Sequence, residues 1–120
     1  MAVTHSAATR IILADAIGDQ LDSGFLEFRA TATEVAKLGL AAAAFDAAAS
    51  QTITANTITS DTDAAGGTID NAVLKTSGDA IVVNMTNIGT SGGEDITISS
   101  LTIGAGDTVS CSALTYTAAP

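Results

Sequence analysis

The chain has 120 residues, a formal net charge of −9 and a pI near 4.1, with four basic residues, Arg10, Arg29, Lys37 and Lys75. Four scattered cations exclude a phosphate-reading surface, because nucleic-acid binding is driven by clustered Lys and Arg, and the acidity disfavours adsorption to an anionic membrane. One His, one Cys and no Trp leave little material for catalysis, and 24 alanines among the apolar residues predict one domain with a thin, aliphatic core.

Residues 4–22 read as a helix. Thr4 or Ser6 can cap its N-terminus by accepting a free backbone N–H. Leu13, Ile17 and Leu21 recur at helical spacing as one apolar stripe, while Asp15, Asp19 and Asp22 occupy a solvated face. Gly18 weakens the middle, and Gly24 is placed to stop the helix. The chain thus divides into an arm and helix over 1–24 and a β domain over 25–120.

From Phe25 the period changes to two. Leu26, Phe28 and Ala30 share one face against Phe25, Glu27 and Arg29, and Ala36, Leu38 and Leu40 repeat the arrangement, so 25–31 and 34–40 predict a hairpin. The alanine-rich run 41–49 has helical propensity, yet at nine residues it fits a packed loop anchored by Phe45 equally well. Five further strands are expected near 51–59, 68–76, 80–87, 94–101 and 108–117, separated by Gly- and Asp-rich turns. Seven short antiparallel strands with this spacing predict a mainly β fold, a jelly-roll-like β-sandwich preceded by one N-terminal α-helix; a barrel is the alternative. The expected core includes Leu26, Phe28, Leu38, Leu40, Val73, Ile81, Val83, Ile96, Ile98, Val109 and Tyr116.

Chemistry finds few footholds. Zinc needs three or four N or S ligands, and His5 and Cys111 stand more than a hundred residues apart. A hydroxyl nucleophile needs a base, and His5 is the only imidazole. Asp61-Thr62-Asp63 with Gly66 starts like an EF-hand loop, but Ala65 and Ala72 occupy positions that need oxygen ligands. A looser calcium site among Asp61, Asp63, Asp70, Glu94 and Asp95 competes with the simpler reading of turn-forming acids. The glycine pairs at 66–67 and 92–93 lack the Lys and helix of a phosphate loop. Cys111, in an alternating strand, reads as a small buried side chain. No catalytic residue, cofactor or metal is therefore expected, and the chain reads as a non-enzyme. No apolar run reaches the roughly 18 residues of a spanning helix, and no secretory signal is visible at the N-terminus.

The opening Met1-Ala2-Val3-Thr4-His5-Ser6-Ala7-Ala8-Thr9-Arg10 resembles the start of small structural proteins of tailed bacteriophages and prophages. Leu13-Ala14-Asp15-Ala16 and Ala55-Asn56-Thr57-Ile58-Thr59-Ser60-Asp61 share the resemblance. It extends to the closing Leu101-Thr102-Ile103-Gly104-Ala105-Gly106-Asp107-Thr108-Val109-Ser110 and Leu114-Thr115-Tyr116-Thr117-Ala118. Such proteins often carry Ser-Asp-Pro before the Ala-Phe that corresponds to Ala44-Phe45; here only alanines stand there. The resemblance implies a virion structural protein, most like a capsid decoration (cement) protein. It would sit on the capsid exterior, meeting the host cytoplasm only during assembly, with the major capsid protein as partner. A tail-tube, tail-fibre or adaptor component is the alternative. Poorly guarded strand edges and an alanine-heavy core add the expectation of a homo-oligomer, with a trimer at a symmetry axis favoured. The expected protein contacts are Val3, His5, Leu13, Ile17, Leu21 and Phe45, with the arm over residues 1–6.

Overall fold

The computed structural model describes residues 3–118. Helix α1 spans Ala7–Gln20, shorter than expected, and Ser6 rather than Thr4 is its cap: the Ser6 hydroxyl accepts from the Thr9 N–H at 3.2 Å. Its buried stripe is Ala14 and Gly18, continued by the C-cap Leu21, with Ile17 half-buried beside it. Leu13, expected in that stripe, lies on the exterior. The small residues set the docking surface, because Gly18 sits where an added Cβ would come within 3.1 Å of Ile53 Cδ1. The residue that leaves the helix in left-handed backbone is Ser23, with φ of 57°. Gly24 has a different task. A Cβ there would fall 2.1 Å from the Lys75 carbonyl oxygen, so glycine permits the chain to enter the first strand against its neighbour's backbone.

Eleven strands follow among the described residues: β1 Phe25–Ala30, β2 Thr33–Leu40, β3 Thr52–Thr54, β4 Ile58–Thr59, β5 Gly67–Thr68, β6 Asn71–Lys75, β7 Ile81–Met85, β8 Ile88–Gly89, β9 Ile96–Ile98, β10 Thr102–Ile103 and β11 Cys111–Thr117. They form a five-stranded sheet in the order β4-β2-β1-β6-β7, a four-stranded sheet β3-β11-β9-β8 and a β10-β5 pair. All pairings are antiparallel except β8 with β9. The expected hairpin is present as β1 and β2. Thr31 turns it with a φ of 57°, and its N–H donates to the Asp70 carboxylate at 3.0 Å. The expected count of seven strands is corrected because several long segments divide between sheets. The 51–59 segment breaks into β3, which pairs with β11, and β4, which pairs with β2.

One buried cluster takes Leu26, Phe28, Ala36, Leu38 and Leu74 from the five-stranded sheet, Ile96, Ile98 and Leu114 from the four-stranded sheet, and Leu21 from the C-cap of α1. Each large side chain here contributes about 1.5–3 kcal/mol on burial. Ala14, Ile53 and Ala118 form a second, smaller cluster under the helix. The helix is therefore part of its own protein's core. Of the expected core, Ile81 is 49% exposed, and Val83 and Tyr116 are only half-buried. The cause for β7 is a register shift against β6 between Leu74 and Lys75, where Leu74 pairs with Val83 but Lys75 pairs with Ile81. Val82 is the extra residue; Val82 and Val83 both touch the core, and Ile81 turns to the outer face.

The 41–49 run contains no helix. Tertiary hydrogen bonds override its propensity: Ala44 N–H donates to Asp22 Oδ1 at 3.0 Å, Ala48 N–H to Asp15 Oδ1 at 2.7 Å, and Asn56 Nδ2 to the Ala43 carbonyl at 2.9 Å. Asp15 and Asp22 are thus loop anchors as well as surface acids.

Candidate functional site

The exterior of α1 and of the described part of the arm carries apolar side chains that keep surface in water. Val3 is 63% exposed, Ile12 67% and Leu13 38%. The helix beneath them is fixed in place. Arg10 reaches across to the C-terminal end of β11, its Nη2 donating to the Ala118 carbonyl at 2.7 Å and its Nε at 3.2 Å. Leu21 and Ala14 lock the opposite face into the two clusters. The contact residues expected from sequence consequently separate. Val3, His5 and Leu13 lie at the surface, Ile17 is half-buried against the core, and Leu21 is fully buried and unavailable to a partner. Phe45 is half-buried, packed against both clusters and beside Gly18, where it anchors the 41–49 loop. Ile12 was missed because the 13–17–21 stripe absorbed the apolar periodicity. Its exposure follows from the true buried stripe being set by small residues.

Where the helix meets the 41–49 loop, a hollow of about 310 Å³ is lined by Asp15, Gly18, Asp19, Phe45, Asp46 and Ala47. Its acids do not make a metal centre. Among the described residues no three His, Cys, Asp or Glu side chains are grouped to hold an ion. Three acids of the loose calcium set, Asp61, Asp70 and Glu94, accept from backbone N–H groups. Asp61 accepts from the N–H groups of Lys37 and Asp63, each at 2.9 Å, and Asp70 closes the β1–β2 turn. Glu94 closes the 90–94 loop, accepting from the Ser91 hydroxyl and from the Gly92 N–H at 3.0 Å. The Ser91 hydroxyl, Glu94's own N–H and the loop amides hold its carboxyl down at about 2. Cys111 is half-buried rather than buried; its thiol donates to the Ala113 carbonyl, and burial pushes its pKa up.

The outer face of the five-stranded sheet gathers three of the four cations. Arg29 pairs with Glu27, Lys75 with Glu27 at 2.9 Å and with Asp79 at 3.2 Å, and Lys37 with Asp79 at 2.8 Å. Lys37 Nζ also lies 4.3 Å from the centroid of the Phe25 ring. Burial works to raise the Glu27 pKa, but hydrogen bonds from Lys75 and Arg29 outweigh it and hold the carboxyl below its usual value. The hydrogen bond to Glu27 raises Lys75, and bonds from Lys37 and Lys75 lower Asp79. Glu34 pairs with Arg29 in the β1–β2 register and completes three acids against three cations. This face is therefore neutral. The net charge of −9 resides in Arg10 and the ten remaining acids elsewhere.

A groove of about 240 Å³ runs from β7 towards the end of β11, past Val83, Met85, Asn87, Asp95 and Tyr116. No helix among the described residues is long and apolar enough to cross a membrane. Comparisons with family models, curated proteins and solved structures found no match for this chain.

Proposed function

We propose that this protein is a structural component of a tailed-phage virion, a capsid decoration protein that binds the outer head surface and stabilises the shell. The observation that carries the reading is the exposed apolar exterior of the arm and α1, Val3, Ile12 and Leu13, on a helix pinned to its own body by Leu21 and Arg10. A rigid helix with uncovered apolar side chains suits docking to another protein, since apolar anchors supply the binding free energy at interface centres. The remaining surface, acidic and rich in Thr and Ser, fits the solvent side of a shell. The resemblance of the two chain ends to phage structural proteins supplies the partner, the major capsid protein. Within this reading the five- and four-stranded sheets pack face to face as a jelly-roll-like sandwich, supported by the core cluster that draws on both. Self-association belongs to the same proposal.

Co-sedimentation of purified protein with expanded phage heads tests it. Wild-type protein should pellet with heads, and the paired substitution Ile12→Lys and Leu13→Glu should abolish pelleting while leaving the melting temperature close to wild type. Unchanged binding of that variant removes the helix as the contact. Binding to isolated tails and not to heads overturns the decoration reading.

A further inference from the structure

We infer that the free edge of β7 is a self-association site, at which the Ile81–Met85 strand of a second copy pairs antiparallel with this one about a two-fold axis. The proposal deepens the reading above and rests on its self-association part, not on attachment to a shell.

Among the edge strands of the described residues, β4, β5, β8 and β10 have two residues each, β3 has three and lies against α1, and β7 has five. Only β7 offers an appreciable row of outward backbone groups. An unpaired edge of this kind is a template for another strand unless charge, proline or cover blocks it. Residues 80–93, between Asp79 and Glu94, contain no charged residue and no proline. Ile81 is 49% exposed, and Val82 and Val83 are half-buried, so three consecutive β-branched side chains keep apolar surface in water.

Charge selects the occupant. Two copies of a chain at −9 repel each other wherever their acidic surfaces meet. The neutral outer face of the five-stranded sheet and the uncharged β7 edge beside it are where that repulsion is least. A basic partner would be drawn to the acidic surfaces instead, away from this edge. Backbone pairing of an edge with its own copy is self-complementary, as a two-fold contact requires. The groove leading from Val83 and Met85 towards Tyr116 gives the side chains of the incoming strand room on the inner side, with Asp95 as its one charged lining residue. The contact is thereby assigned to the sheet edge, while the arm and helix remain open for a different protein.

Sedimentation velocity on the full chain, with circular dichroism as a fold check, tests the pairing. Wild-type protein should show a dimer mass that falls to monomer on dilution. Ile81→Lys with Asn84→Lys, both at exposed positions, should give monomer at every concentration with wild-type strand content. Ile12→Lys with Leu13→Glu should keep the dimer. As a second measurement independent of variants, hydrogen exchange at the amides of 81–85 should slow as wild-type concentration rises. A persisting dimer in the β7 variant, loss of the dimer in the helix variant alone, or concentration-independent exchange at 81–85 overturns the pairing. A trimer mass overturns this two-fold contact while leaving self-association standing. A wild-type monomer at all concentrations removes both, and head pelleting by the same preparations reports separately on decoration.

Discussion

Glu27 on β1 and Lys75 on β6 meet diagonally as an ion pair at 4% and 7% exposure, so neither can lose its partner cheaply. Glu27→Ala leaves Lys75 with Asp79 alone and strips Arg29 of its partner; a loss of about 2–3 kcal/mol is expected from urea unfolding. The pH dependence follows from the two directions. Glu27 is lowered from the ordinary 4.5, so its contribution is complete above that value and lost as pH falls through the folded pKa. Lys75 is raised from 10.5, so its contribution is complete below that value and lost as pH rises through the folded pKa. The gap between wild type and Glu27→Ala should therefore be widest between these limits and close at both ends. A gap independent of pH would show that the variant acts through packing rather than charge. Glu94 offers a direct titration: its side-chain carbonyl resonance should move with a midpoint of about 2, and Ser91→Ala should return it towards the ordinary value.

At the scale of elements, two bulges account for much of what the sequence pattern misplaced. Alternation identifies Ala36, Leu38 and Leu40 as inward, but the β1–β2 register shifts between Phe28 and Arg29, and Val35, unpaired, is buried as well. The same device at Val82 sends Ile81 outward. A period of two carries no mark for an inserted residue, because the bulge is fixed by the partner strand and not by the local sequence. The β1–β2 hairpin was legible since both strands alternate cleanly and the 31–33 turn separates them. Helix α1 was legible in type and place but only partly in its face: Ile17 and Leu21 do meet the core, but leucine spacing also favoured Leu13, whereas close docking of Gly18 on Ile53 rotates Ala14 inward. Of the expected contact residues, Val3, His5 and Leu13 lie at the surface, whereas Leu21 is taken into the core, since leucine spacing alone reads equally as core or as contact. Gly24 supplies the test of backbone proximity. Gly24→Ala places a methyl carbon against the Lys75 carbonyl and must push β1 from β6, so a loss of at least about 2 kcal/mol is expected in chemical denaturation. A neutral result would mean that the two strands separate freely at this end.

Over the whole molecule the decisive property is the placement of charge. Three cations are spent on the outer sheet face and Arg10 on the Ala118 carbonyl, which leaves the acids around the turns, helix and loops largely unneutralised. Two copies approaching through β7 meet an uncharged edge at contact but still feel repulsion between their acidic bodies at longer range. The Debye length shrinks from about 30 Å at 0.01 M salt to about 10 Å at 0.1 M. With extents of 44 × 31 × 25 Å, most of the acid–acid repulsion between paired copies acts over distances that this change screens. Salt should thus strengthen self-association, raising the dimer fraction at fixed protein concentration, and the apolar contact itself is insensitive to screening. An interface built from ion pairs between copies behaves oppositely and weakens as salt is added. Equilibrium sedimentation across this salt range separates the two: a dimer constant that rises with salt supports the uncharged edge, and one that falls places the contact on charged side chains instead.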